Sequence, residues 1–174
     1  MSQAFHDADP VGRLLTDPEV ATPAFVIDDA RLEANLAFAR DRAARLGVTL
    51  RPHLKTHKSI DVARRQMLSP EGPATVSTLA EARYFAEHGV KDLIYAVGIA
   101  PQKLADVAAI RALGCDLKII LDNVAAAEAV SAYCRAHDVT MPVLIEVDCD
   151  GHRSGVRPES GLLIDIARAL EGGA

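Results

Sequence analysis

The chain has 174 residues, 49% of them apolar and 25% charged, with 19 basic and 24 acidic side chains and a net charge of −5. That balance suits one globular domain with a sizeable core, and the acidic excess argues against general nucleic-acid binding, which needs a basic surface. No apolar run approaches a membrane span, no secretory leader pattern opens the chain, and three cysteines (Cys115, Cys134, Cys149) lack framework spacing, so a reducing cytoplasm is the expected compartment.

Residues 1–19 mix polar and apolar side chains around Pro10 and Pro18 and read as a lead-in, with a helical turn near Gly12–Leu15. Thr22–Asp28 reads as a strand with Pro23 at its edge. Asp28 or Asp29 is placed to cap a helix over about Ala30–Leu46, whose apolar positions are Leu32, Leu36, Ala39, Ala43 and Leu46, and which stops at Gly47. A strand follows over Val48–Lys55, then a helix from Ile60 to about Met67 capped by Ser59 and closed by the loop Ser69–Pro73.

The pattern then repeats. Strands are expected at Ala74–Thr78, Asp92–Val97, Leu117–Leu121 and Pro142–Asp148, and helices at Leu79–His88, Pro101–Leu113, Val124–His137 and about Glu159–Leu170. Strand and helix alternating at this spacing mean βαβ units, and the short apolar strands suit a parallel sheet buried on both faces. A doubly wound sheet and a β/α barrel both fit. No GxGxxG or GxxxxGK[ST] fingerprint follows the first strand. Polar residues instead mark strand ends at Lys55 and Thr56, Ser77 and Thr78, Asp122 and Asn123, and Asp148, which is the habit of a barrel. The expected fold is therefore an α/β class (β/α)8 TIM-type barrel, incomplete, with five or six of its strands present in residues 20–174.

The densest chemistry lies in Leu50–Lys58. Read as a strand, its two-residue period puts Arg51, His53, Lys55 and His57 on one face. Lys55 has two readings. It is a solvated loop lysine, or an amine whose pKa neighbouring cations lower, favouring the free form that builds a Schiff base. His53 and His57 are four residues apart without an identified third metal ligand, and read as hydrogen-bonding or ligand-facing groups. Arg51 is expected inside the barrel, paired with Glu146 or Asp148. A second stretch, Asp148–Gly155, forms a tight loop at a strand's end from which Arg153 projects, either toward the barrel mouth or simply into water. Cys149 and His152 are too few for a metal, and Cys115 and Cys134 read as packing residues.

Arg51-Pro-His-Leu-Lys-Thr-His-Lys58 resembles the RPHxKTHK motif of the D-threonine aldolase and D-serine dehydratase group, pyridoxal-phosphate enzymes of fold type III with an alanine-racemase-like N-terminal barrel. Thr22–Asp28, Thr75–Ala82 and Asp148–Gly155 are similar to further stretches of that group, so the resemblance runs from about residue 20 onward. It implies that Lys55 is catalytic and holds pyridoxal 5'-phosphate as a Schiff base. It implies that Arg153 is the loop arginine near the pyridoxal ring oxygen. The family's THAG-like histidine segment, its phosphate-binding loops and its C-terminal β-domain with a His-x-Cys site for a divalent metal are not found in these 174 residues. No metal ligand is assigned.

The implied activity is that of a lyase acting on a D-amino acid, with a β-hydroxyl group, as a homodimer in its full-length form. The 174-residue piece is expected to be inactive. Alternatives are a non-catalytic pyridoxal-phosphate-binding barrel of the cofactor-homeostasis kind, or an amino-acid racemase.

Overall fold

The computed structural model describes residues 16–18, 20 and 22–171. The expected turn at Gly12–Leu15 lies outside the described residues. The chain divides into two units, one up to Asp41 and one from Arg42.

In the first unit, residues 24–28 are extended but join no sheet, and Phe25, Val26 and Ile27 are 104%, 66% and 52% exposed. The strand expected at Thr22–Asp28 is therefore not formed: an extended segment becomes a strand only when another backbone takes up its hydrogen bonds. Helix α1 (Asp29–Leu46) starts here. Asp28 is the cap, its Oδ1 accepting the Arg31 N–H at 3.0 Å. Leu36 of the predicted stripe is buried.

The second unit is built on a four-stranded parallel sheet: β1 (Ala74–Val76), β2 (Asp92–Gly98), β3 (Asp116–Leu121) and β4 (Val143–Ile145), in that spatial order. Helix α2 (Ile60–Gln66) precedes β1, helices α3 (Leu79–Glu87), α4 (Leu104–Arg111) and α5 (Val124–His137) separate the strands, and α6 (Leu162–Glu171) follows β4. A 3-10 turn at Pro101–Lys103 leads into α4, so the single helix expected over Pro101–Leu113 is split. Local chemistry sets the helix starts. Ser59 Oγ accepts from Val62, Thr78 Oγ1 from Glu81 and Asn123 Oδ1 from Ala126.

One face of the sheet is dry. Leu93, Tyr95, Leu117, Ile119 and Leu121 are at most 1% exposed and cluster with Phe85, Leu104, Val107, Ile110, Val130 and Ile166 from the helices. Cys115 is buried in the same cluster, and its thiol is pushed up to about 11, first by burial and then by Asp116, as befits a packing residue. The opposite face carries the alternate residues Asp92, Ile94 and Lys118, all part-exposed.

The strand expected at Val48–Lys55 is reduced to one parallel bridge, His53 to Thr75. Thr75 N–H donates to Pro52 O at 2.8 Å, and Leu54 N–H donates to Thr75 O at 2.9 Å. Pro52 has no N–H, so the ladder cannot extend past it as a regular strand would. The segment nonetheless occupies the edge position beside β1. Alternation holds for Arg51 to Leu54, with Pro52 and Leu54 buried. A turn begins at Leu54, and His57 does not share the strand face.

Arg51 is an interior-face ion pair, but its partner is neither Glu146 nor Asp148. Its guanidinium bonds both carboxylate oxygens of Asp92, at 3.0 and 2.8 Å, and the carbonyl of Ala74 at 3.2 Å. In a parallel sheet Arg51 lies level with the start of β2, whereas Glu146 and Asp148 follow the end of β4. Lys118 then links Asp92 (2.9 Å) to Asp116 (2.6 Å), and Arg111 also bonds Asp116 at 3.0 Å. The Asp92 carboxyl is held below its usual value, first by the Arg51 bond and then by Lys118, against the opposing effect of burial. A lowered folded pKa means that this stability is present above the ordinary aspartate value and is lost as pH falls through the folded one. Asp92→Asn should therefore cost about 1 kcal/mol at neutral pH, kept small by the 38% of its side chain that water reaches. The difference from wild type should shrink near pH 3. Urea unfolding of both proteins at the two pH values measures it.

Candidate functional site

The three cationic residues of the motif, Arg51, Lys55 and Lys58, now separate by what they touch. Arg51 is engaged by Asp92 at the N-terminal side of the sheet. Lys58 reaches Glu81 Oε1 at 3.4 Å. It holds a left-handed backbone, φ 51, which costs a residue with a Cβ about 1–2 kcal/mol. Lys55 is exposed, and its amine has no hydrogen bond or ion pair among the described residues. It stands just past the bridge, at the C-terminal end of the edge segment.

The histidines are both engaged. His53 Nδ1 accepts the Lys55 N–H at 3.3 Å, and its Nε2 lies 3.2 Å from Ser77 Oγ. His57 Nδ1 accepts the Ser59 N–H at 3.1 Å, and its Nε2 lies 2.9 Å from Gln66 Oε1. A ring nitrogen that accepts an amide proton carries none, so each neutral ring is protonated on Nε2 and donates outward. His53 is further held in the neutral form, its pKa lowered first by burial and then by Lys55, with Glu81 opposing. Of the two readings expected for His53 and His57, hydrogen-bonding or ligand-facing, the bonds in this structure are of the first kind.

Behind His53 stands a second row. Ser77 N–H donates to Glu81 Oε2 at 2.9 Å, and the Glu81 carboxylate is 7% exposed. Sequence reasoning missed Glu81 and Gln66, and saw Ser77 only as a polar residue at a strand end. Thr78-x-x-Glu81 has the capping-box spacing and was a visible signal for Glu81. Nothing local announces Gln66, whose role arises only where α2 passes the loop.

The second predicted stretch follows β4. Gly151 N–H donates to Asp148 Oδ1 at 3.0 Å, and Ser154 Oγ donates to Glu146 Oε1 at 2.9 Å. Asp148 N–H and Val156 N–H close it on Val156 O and Glu146 O, both at 2.9 Å. Arg153 projects from this loop, exposed and without a bonded partner among the described residues. Lys55 and Arg153 follow strand positions at opposite edges of the sheet, and no contact joins them.

The described residues contain no group of three or more His, Cys, Asp or Glu side chains able to hold a metal ion. For an aldehyde cofactor the donor set does fit. Lys55 offers an exposed primary amine with no hydrogen bond or ion pair among the described residues.

The loop's geometry depends on one glycine. At Gly155, φ is +104°, and a Cβ would stand 2.8 Å from both Asp148 N and Glu146 O. Gly155→Ala should cost about 2–3 kcal/mol and open the Arg153 loop to protease. Gly151→Ala, at φ +74 with open space around it, should cost only about 1 kcal/mol. Urea unfolding and limited proteolysis of the two variants distinguish them.

The family described as alanine racemase, N-terminal domain, matches residues 27–173. D-threo-3-hydroxyaspartate dehydratase from Delftia sp. (strain HT23) is 46% identical over 153 residues, covering 87% of this chain and 40% of that protein. Its solved structure superposes with a TM-score of 0.83, over 89% of this chain and 41% of that one. D-serine dehydratase from Dictyostelium discoideum is 30% identical over 161 residues, covering 87% and 40%. The structure of D-threonine aldolase from Filomicrobium marinum gives a TM-score of 0.74 at 28% identity, covering 87% and 41%. The chain spans about two fifths of the length of the curated relatives it matches. With an α/β architecture that forms part of a TIM-type barrel, a parallel sheet in sequential order and a family match over residues 27–173, the chain belongs to the alanine racemase N-terminal domain family.

Proposed function

We propose that this chain is the lysine-bearing part of a pyridoxal-phosphate-dependent lyase that acts on a D-amino acid with a β-hydroxyl group. The observation that carries the reading is the Lys55 amine. It is exposed at the C-terminal end of the sheet, while Arg51 and Lys58 of the same motif are paired with Asp92 and Glu81. The names of the relatives, dehydratases and aldolases of D-amino acids, support the reaction class.

In this reading Lys55 Nζ is the covalent anchor for the cofactor aldehyde. With pyridoxal phosphate bound, the same Lys55 nitrogen would be the base for the proton on the substrate Cα. Bound pyridoxal phosphate supplies an electron-withdrawing ring that stabilises negative charge at that carbon. Arg153 brings a cation to the ring oxygen from the far edge of the sheet. Loss of the β-hydroxyl after proton removal is dehydration. The 46% identity to a hydroxyaspartate dehydratase, against 29–32% to the aldolases, favours this over carbon–carbon cleavage.

Residues 20–174 are then part of the cofactor barrel, and residues 1–19 its lead-in. A C-terminal β-domain and a divalent metal belong to the whole homodimeric enzyme, and the 174-residue chain alone is without turnover. One solved form of the Delftia dehydratase is described as metal-free, which supports the metal. The residues described here do not form its site, and no step is assigned to it. No described helix is long and apolar enough to cross a membrane.

Incubation with pyridoxal phosphate, borohydride reduction and peptide mapping test the anchor. The label is expected on Lys55 and is expected to vanish in Lys55→Ala. Label on another lysine, unchanged by that substitution, overturns the assignment.

A further inference from the structure

The two histidines of the motif make the same bond twice. His53 Nδ1 accepts the amide of Lys55, and His57 Nδ1 accepts the amide of Ser59. Each bond runs from a side chain to the N–H two residues on, which is the bond that Asn and Asp side chains make in an Asx turn. Each ring is then gripped from outside. His53 Nε2 meets Ser77 Oγ just beyond β1, and His57 Nε2 meets Gln66 Oε1 in α2. Ser77 is fixed in turn through its N–H on the buried Glu81 carboxylate. Lys55 sits between these two closed turns, directly after Leu54, which is 0% exposed.

We propose that His53 and His57 are positioning residues for Lys55. Each closes an Asx-like turn through Nδ1 and is held at Nε2 by a second partner, so that the lysine stem leaves a fixed stretch of backbone. The inference rests on the reading of Lys55 as the cofactor anchor. Neither ring can relay a proton or bind a metal through Nδ1 without opening its turn. The free energy that orders a long, exposed amine is thereby supplied by its neighbours rather than by contacts of the amine itself, which stays available for reaction.

The test uses the full chain and two isosteres of the imidazole. An asparagine at position 53 keeps the short acceptor for the Lys55 N–H and loses the reach to Ser77. A glutamine keeps the reach and loses the short acceptor. Borohydride trapping of pyridoxal phosphate at Lys55 should fall about tenfold in His53→Gln and His53→Ala, the scale of one lost hydrogen bond, and stay within about threefold of wild type in His53→Asn. Equal labelling of all three variants, or retention in His53→Gln with loss in His53→Asn, overturns the proposal.

A second measurement needs no cofactor and no variant. Long-range proton–nitrogen spectra of the free protein should show both rings as Nε2–H tautomers. An Nδ1–H tautomer, or averaging between the two, overturns the proposal. Wild-type label on a lysine other than Lys55 instead overturns the anchor reading, so the two failures are distinct.

Discussion

Two backbone hydrogen bonds, from Thr75 to Pro52 and from Leu54 to Thr75, seat the lysine motif on the edge of the sheet. They fix the register between the motif and β1. That register puts His53 level with Thr75 and Arg51 level with the start of β2. It also buries Leu54 among the residues under α2 and α3. The turn at Leu54 then lifts Lys55 out of the sheet. The contacts of Arg51 with Asp92 and of His53 with Ser77 follow from this pairing.

The sheet divides its charges between its two ends. At the strand starts, Arg51, Asp92, Lys118, Asp116 and Arg111 form a chain of ion pairs on part-exposed groups. Such pairs are individually weak, but together they satisfy charges that share a confined face. At the strand ends, Lys55 and Arg153 have no such partners among the described residues. A cation left unpaired among satisfied neighbours keeps its bonding capacity for a ligand, and the C-terminal end of a β/α barrel is where that capacity is used. The loops there are shaped by their own hydrogen bonds: His53 and His57 shape the lysine turn, and Asp148 with Gly155 shapes the arginine loop.

Membership in the alanine racemase N-terminal domain family makes this arrangement intelligible. The family match starts at residue 27, just before α1, and takes in both the lysine turn and the Arg153 loop. The same stretch is shared at 46% identity with a dehydratase of a hydroxylated D-amino acid. The part of the chain that carries the unpaired cations is therefore the part in common.

The sequence by itself determined the alternation of helices and strands from residue 59 onward, the helix cap at Ser59, and the α/β class. These depend on periodicity and on side chains that bond within a few residues of themselves, so the information is local. Only the tertiary structure decided that residues 24–28 join no sheet, that the motif is an edge bridge rather than a full strand, and that Arg51 pairs with Asp92. The same holds for His53 with Ser77 and Lys58 with Glu81. The three side-chain pairings join residues 23 or more positions apart, where the fold selects the partner and residue type alone cannot. Lys55 became distinct from its neighbours in the same way. The sequence showed a row of similar cations, and the fold paired Arg51 and Lys58 while the Lys55 amine has no partner among the described residues.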